Sequence, residues 1–175
     1  MGWIVQNYRE PGTSHADFFQ REVLGDNYEI LDSAFIGGIG GTFYAAVKIK
    51  DGAEAGNVFA YVALTKGSSG SSFGWKSMEE EMGPYSYDCP ARILDLLSPT
   101  DNENALVWRN KCRERAATQD ALRPGVRVTF PADYLCPEGP RREFVYEGNG
   151  RFKVPDTGNV YSLRAWRKEE YAIAS

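Results

Sequence analysis

Val58-Phe59-Ala60-Tyr61-Val62-Ala63-Leu64-Thr65 is apolar at odd and even positions alike. A strand with one wet face alternates, so a run without polar relief on either face predicts a strand covered on both sides, at the centre of a sheet. Working outward, residues 42–50 alternate Phe43, Ala45, Val47 and Ile49 with Tyr44, Ala46 and Lys48, and residues 28–35 read as a further strand. The turn from Asp51-Gly52 to Gly56-Asn57 joins the first two of these runs. Trp3-Ile4-Val5 reads as an edge strand turned by Pro11-Gly12. Ser14, with Asp17 three residues on, caps a helix that presents Phe19 and Val23 and stops at Gly25. His15 falls in the first turn of that helix, where the dipole disfavours imidazolium.

The glycines of Ile36-Gly37-Gly38-Ile39-Gly40-Gly41 lead into a β-branched and aromatic run. A phosphate-cradling loop needs a helix behind it, so a hairpin or bulge is the stronger reading. On the other side of the central run, residues 67–72 form a Gly/Ser loop, a connection or a lid. The stretch Phe73-Gly74-Trp75-Lys76-Ser77-Met78-Glu79-Glu80-Glu81-Met82-Gly83-Pro84 follows, with Ser77 and Glu80 at capping-box spacing for a short helical turn that Gly83 and Pro84 end. A Tyr85/Tyr87 loop leads to Asp88-Cys89-Pro90 and a helix predicted to run to Leu97. Thr100 and Glu103 suit a second capping box, and the helix they start runs to about Gln119, burying Ala105, Trp108, Cys112 and Ala116. From Arg123-Pro124-Gly125 onward, five short strands in about fifty residues predict a small SH3-like barrel. The expected fold is α+β: an N-terminal antiparallel sheet with helices over residues 1–100, a basic connecting helix over 101–121, and the barrel over 122–175.

The totals narrow the chemistry. With 175 residues, 42% hydrophobic and 25% charged, the chain can bury a core and a small satellite domain. No apolar run approaches the ~18 residues of a membrane span, and nothing at the start resembles a signal peptide or a myristoylation site. Cys89, Cys112 and Cys136 are scattered without CxxC spacing, which fits a reducing, cytoplasmic setting. The single histidine, His15, argues against histidine-built zinc sites, and no metal or cofactor is expected. The net charge of −4 is split: residues 1–108 carry seven Lys/Arg against 15 Asp/Glu, and residues 109–175 carry 13 against nine. Such asymmetry suggests surfaces with different partners, or two parts that face each other.

Three kinds of site follow from the residues. A thiol-dependent hydrolase or transferase would use Cys89 at a helix N-terminus, with His15 as its base and Asp88 or Asp17 orienting the ring. Glu79, Glu80, Glu81, Asp88, Asp95 and Asp101 offer oxygen ligands, but their spacing matches no EF-hand and a solvated acidic face explains them. Nucleic acid could be held by Arg109, Arg113, Arg141, Arg142, Arg151 and Lys153 together with Arg164, Arg167 and Lys168, with Trp166, Tyr146, Phe152 and Tyr161 available for stacking. A protein partner could instead be held by Phe73, Trp75, Tyr85 and Tyr87 around the Gly-Pro loop.

The pattern Phe73-Gly74-Trp75-Lys76-x-Met78, Met82-Gly83-Pro84, Cys89-Pro90-x-x-Ile93-Leu94-Asp95-Leu96-Leu97-x-Pro99-Thr100, followed by Trp108-Arg109 and Cys112-Arg113, resembles a family of small uncharacterised proteins from bacterial plasmids, prophages and phages. The resemblance implies a setting, not an activity. Accessory proteins of mobile elements often bind host defence or nucleic-acid machinery. The sequence therefore favours a non-enzymatic interaction protein that binds a host protein or nucleoprotein complex, and it leaves the oligomeric state open.

Overall fold

The computed structural model describes residues 4–6, 12–37, 40–67, 73–163, 166 and 171–173, with the side chains of Val5, Gln6 and Phe73 outside the description. The elements in chain order are β1 (Ile4–Gln6), α1 (His15–Phe19) continuing as a π-helical turn (Gln20–Leu24), β2 (Tyr28–Ile36), β3 (Thr42–Ile49), β4 (Val58–Gly67) and β5 (Phe73–Glu79). A 3-10 turn (Glu80–Met82) leads to α2 (Ala91–Leu94) and α3 (Glu103–Ala121). Then come β6 (Arg127–Cys136), β7 (Gly139–Gly148), β8 (Arg151–Lys153), β9 (Val160–Ser162) and β10 (Ala172–Ile173). The chain divides into two compact units, Met1–Ala116 and Ala117–Ser175. The α+β class expected from the sequence is the class adopted.

In the first unit four long strands and the short β1 form an antiparallel sheet in the order β1-β5-β4-β3-β2. The doubly apolar run of β4 sits at its centre, because its neighbours and the helices cover both faces. Phe43, Ala45, Val47, Tyr61 and Ala63 face Phe18, Phe19 and Trp75 on one side. Tyr44, Ala46, Ala60 and Val62 face Cys89, Ile93, Leu94, Trp108 and Cys112 on the other. Each fully buried large side chain in these layers contributes about 1.5–3 kcal/mol.

Ser14 caps α1 as its spacing predicts, with Oγ accepting from the Asp17 amide at 3.0 Å and its hydroxyl donating to the Asp17 carboxylate at 2.7 Å. Phe18 and Phe19 drive α1 onto the sheet: the Phe19 ring stacks 4.7 Å from Phe43, and Phe18 meets Trp75 edge-on at 5.1 Å. The glycine-rich run joins β2 to β3 in an antiparallel register that pairs Ile36 with Thr42. Gly41 is needed there, since a Cβ on it would stand 2.6 Å from the Ile36 carbonyl oxygen.

Three local readings are corrected. Ser77 and Glu80 make no capping box, because Ser77 lies in β5 paired with Ala63 of β4 and the helical turn after it has no side-chain cap; sheet pairing outweighs the local capping signal. Only Gly83, left-handed with φ 63°, ends that turn as read. The helix after Pro90 is the single turn α2 and stops short of Leu97, and α3 is capped by Asn102, whose Oδ1 accepts from the Ala105 amide at 3.1 Å, instead of by Thr100. The helix read as a connector also does more than connect, since Ala105, Trp108 and Cys112 complete the core of the first unit.

The second unit is a five-stranded antiparallel sheet in the order β10-β6-β7-β8-β9. Val128, Phe130, Phe144, Phe152 and Val154 are its fully buried core, joined by Cys136 and Tyr146. A single core in a unit this small rarely supplies more than about 3–5 kcal/mol.

Candidate functional site

The loop between the 3-10 turn and α2 is fastened on all sides. Trp108 Nε1 donates to the Ser86 carbonyl at 2.9 Å, the Tyr44 hydroxyl meets Ser86 Oγ at 2.5 Å, and the Asp88 amide donates to the Tyr44 hydroxyl at 3.2 Å. Arg115 Nε donates to the Asp88 carboxylate at 2.5 Å, and Asn104 Nδ2 donates to the Glu81 carbonyl at 3.1 Å. Lys111 Nζ lies 5.0 Å from the Tyr87 ring centroid. Held this way, the loop stands off α3 and leaves a cleft of about 320 Å³. Gly83, Pro84 and Tyr87 form its loop wall, Glu103, Asn104 and Val107 its helix wall, and buried Trp108 also lines it. Met82 at the end of the 3-10 turn, Tyr85 on the loop, and Leu106 and Val107 on α3 expose apolar side chains, Tyr85 to 83%.

The thiol constellation is not assembled. Cys89 is sealed in the cluster on the α3 face of the sheet, whereas His15 stacks on Phe35 at 4.0 Å and lies 6.4 Å from Phe43, on the opposite face. Asp88 is engaged by Arg115, away from any imidazole. Burial pushes the Cys89 thiol far above its ordinary range, with neighbouring Cys112 and Glu80 adding to the effect. The one turn of α2 supplies too little dipole to offset that.

Cys112 is likewise buried, and its thiol is pushed up to about 12, chiefly by burial. Ellman's reagent is therefore expected to leave Cys89 and Cys112 unmodified in the folded protein at pH 8 and to titrate them only in denaturant; fast native labelling of either would overturn this. The sign of the linked stability follows. In the unfolded chain a thiol releases its proton near about 8.5, while folded Cys112 keeps it. Stability is unaffected by this group below that pH and falls as pH rises toward about 12, by about 1.4 kcal/mol per pH unit.

Four of the six basic candidates among the described residues are paired with carboxylates. Arg109 is 7% exposed and forms a buried ion pair with Glu80, itself 2% exposed. Arg141 reaches Asp156 at 3.4 Å, Arg142 reaches Asp133 at 2.6 Å, and Lys153 reaches Glu147 at 3.2 Å. Arg113 and Arg151 are exposed. Trp166 packs on the second unit's core, 5.2 Å from the Phe152 ring and 5.8 Å from Tyr146. Phosphate binding draws on uncompensated charge, which carboxylate partners reduce. Arg164, Arg167 and Lys168, like the Gly/Ser loop at 68–72, lie outside the described residues.

Among the aromatic candidates the structure separates core from surface. Trp75 is 2% exposed and belongs to the sheet core, because the pleat of β5 turns it toward Phe18. The Phe73 side chain lies outside the description. Tyr87 lines the loop wall of the cleft, and Tyr85 on the same loop is exposed without lining it. Sequence reasoning missed Val107, Asn104 and Glu103, the helix wall; their signal was the i, i+3, i+4 spacing that brings them to one side of α3.

A family model described as a domain of unknown function (DUF6927) matches residues 99–166, under half of the chain. No curated protein and no solved structure matches. The matched segment carries the helix wall of the cleft, but not its loop wall. Among the described residues no group of three or more His, Cys, Asp or Glu is placed to hold a metal ion, and no helix is long and apolar enough to cross a membrane.

Proposed function

We propose that this protein is a non-enzymatic interaction module, acting in the cytoplasm on a host protein or nucleoprotein complex in the mobile-element setting that the resemblance implies. One observation carries the reading: the cleft at α3 sets Pro84 and Tyr87 of a fastened loop against exposed Val107, with Met82, Tyr85 and Leu106 exposed elsewhere on the adjoining turn, the loop and the helix. Preorganised apolar and aromatic anchors beside a pocket are what a protein interface concentrates its energy in. The candidate nucleophile is buried in the core, and four of the six basic candidates among the described residues are paired with carboxylates.

We further read the second unit as an SH3-like small barrel. Two observations support curling of its sheet. Glu138, in the β6–β7 turn, accepts from the Tyr161 hydroxyl and from Asn159 at the β9 end. Phe130 of β6 also meets Phe152 of β8 at 5.6 Å across the core.

Val107→Arg tests the interaction reading. Val107 is 49% exposed, so the substitution is expected to leave the unfolding midpoint within about 0.5 kcal/mol of wild type. Crosslinking with mass spectrometry in a bacterial host should recover a defined partner with the wild type and lose it, by tenfold or more, with the variant. An identical set of partners from both proteins would refute the reading.

A further inference from the structure

We infer that the cleft between the Gly83–Tyr87 loop and α3 takes a short segment of a partner protein in which an apolar side chain stands beside a lysine or arginine. The inference rests on the interaction reading above and names its ligand chemistry. The apolar requirement comes from Pro84, Val107 and Trp108, which line a space of about 320 Å³, near the lower limit for ligand sites and suited to one large side chain.

The cationic requirement comes from the helix end of the cleft. Glu103 lines it and is exposed, Asp101 is exposed two residues earlier, and Glu81 is exposed in the 3-10 turn, whose backbone Asn104 ties to α3. At the other end Lys111 already covers the Tyr87 ring, so a second cation there meets like charge. The asymmetry orients the segment, with its basic residue toward Glu103 and its apolar residue between Pro84 and Val107. The same carboxylates repel a phosphate backbone, which makes nucleic acid the disfavoured occupant.

The full-length protein is titrated, by fluorescence anisotropy, with labelled synthetic peptides that share one phenylalanine and differ in its flanking residues: lysine, serine or glutamate. The lysine peptide is expected to bind tightest, with its advantage over the serine peptide shrinking as salt rises. Glu103→Gln should reduce the ratio of lysine-peptide to serine-peptide affinity, by up to about fivefold, the upper end for an exposed ion pair. Equal binding of all three peptides, or preference for glutamate, overturns the charge assignment while binding that Val107→Arg abolishes keeps the interaction reading. Failure of every peptide, alongside a Val107-dependent protein partner, overturns the proposed ligand alone. A labelled single-stranded oligonucleotide that binds and is displaced by no peptide overturns both.

Discussion

Replacing Arg109 with alanine is expected to destabilise the first unit by about 3–5 kcal/mol, because it strands a carboxylate in the core. Glu80 Oε2 accepts from Arg109 Nε at 2.5 Å, and Oε1 accepts from Arg109 Nη2 at 2.8 Å and from the Ala60 amide at 3.0 Å. Arg109 Nη1 donates in turn to the Ser98 carbonyl at 2.7 Å. One ion pair thus binds α3, the 3-10 turn, central strand β4 and the segment after α2. Truncating one partner leaves the other charged and dry, whereas replacing both with apolar residues of similar size removes the desolvation penalty along with the attraction. The double variant Glu80→Leu/Arg109→Met should therefore be markedly more stable than Arg109→Ala. Urea midpoints of both variants, with Glu80→Leu completing the cycle, check this. A cost under about 1 kcal/mol for Arg109→Ala would show that water reaches Glu80 and that the pair is not the tie described.

That pair also marks the limit of what the residues alone reveal. The strands over 28–35, 42–50 and 58–65 were legible because their signal is local: alternation in 42–50, and its absence in 58–65, report which faces are covered; β5 was not, since Ser77 and Glu80 within and just after it carry a helical capping spacing. The cap at Ser14 was legible for the same reason. Arg109 reads as a nucleic-acid contact on a basic helix, yet it lies four residues after Ala105 and one after Trp108, so helix geometry already sets it at the margin of the buried stripe. What turned it inward was Glu80, 29 residues away, and no local pattern announces a partner at that separation. Trp75 failed likewise, since an aromatic next to a loop reads as an anchor until β5 pairing fixes which way the pleat points it. The cleft itself combines a loop legible as a Gly-Pro-Tyr motif with a helix wall whose membership depends on Asn104 meeting Glu81. Half of the site was therefore visible, and the other half depended on tertiary contact.

Phe152→Ala tests whether the two units are energetic as well as geometric divisions. Phe152 is fully buried and touches four rings, with Tyr146 and Trp166 at 5.2 Å, Phe130 at 5.6 Å and Phe144 at 6.2 Å. Removing a phenyl group from such a packed position costs about 3–5 kcal/mol in transfer and cavity energy. A small antiparallel unit has about that much stability to lose, so the variant should populate a state in which the second unit is open. Hydrogen exchange would then show amides of β6, β7 and β8 losing protection while those of β3 and β4 keep theirs. Those two strands draw on separate clusters, built from Phe18, Phe19, Tyr44 and Trp108, to which Phe152 contributes nothing. Equal loss of protection across β3, β4 and β7 would mean that the chain unfolds as one cooperative block, and that α3, which runs through the boundary at Ala116, transmits the loss from one core to the other.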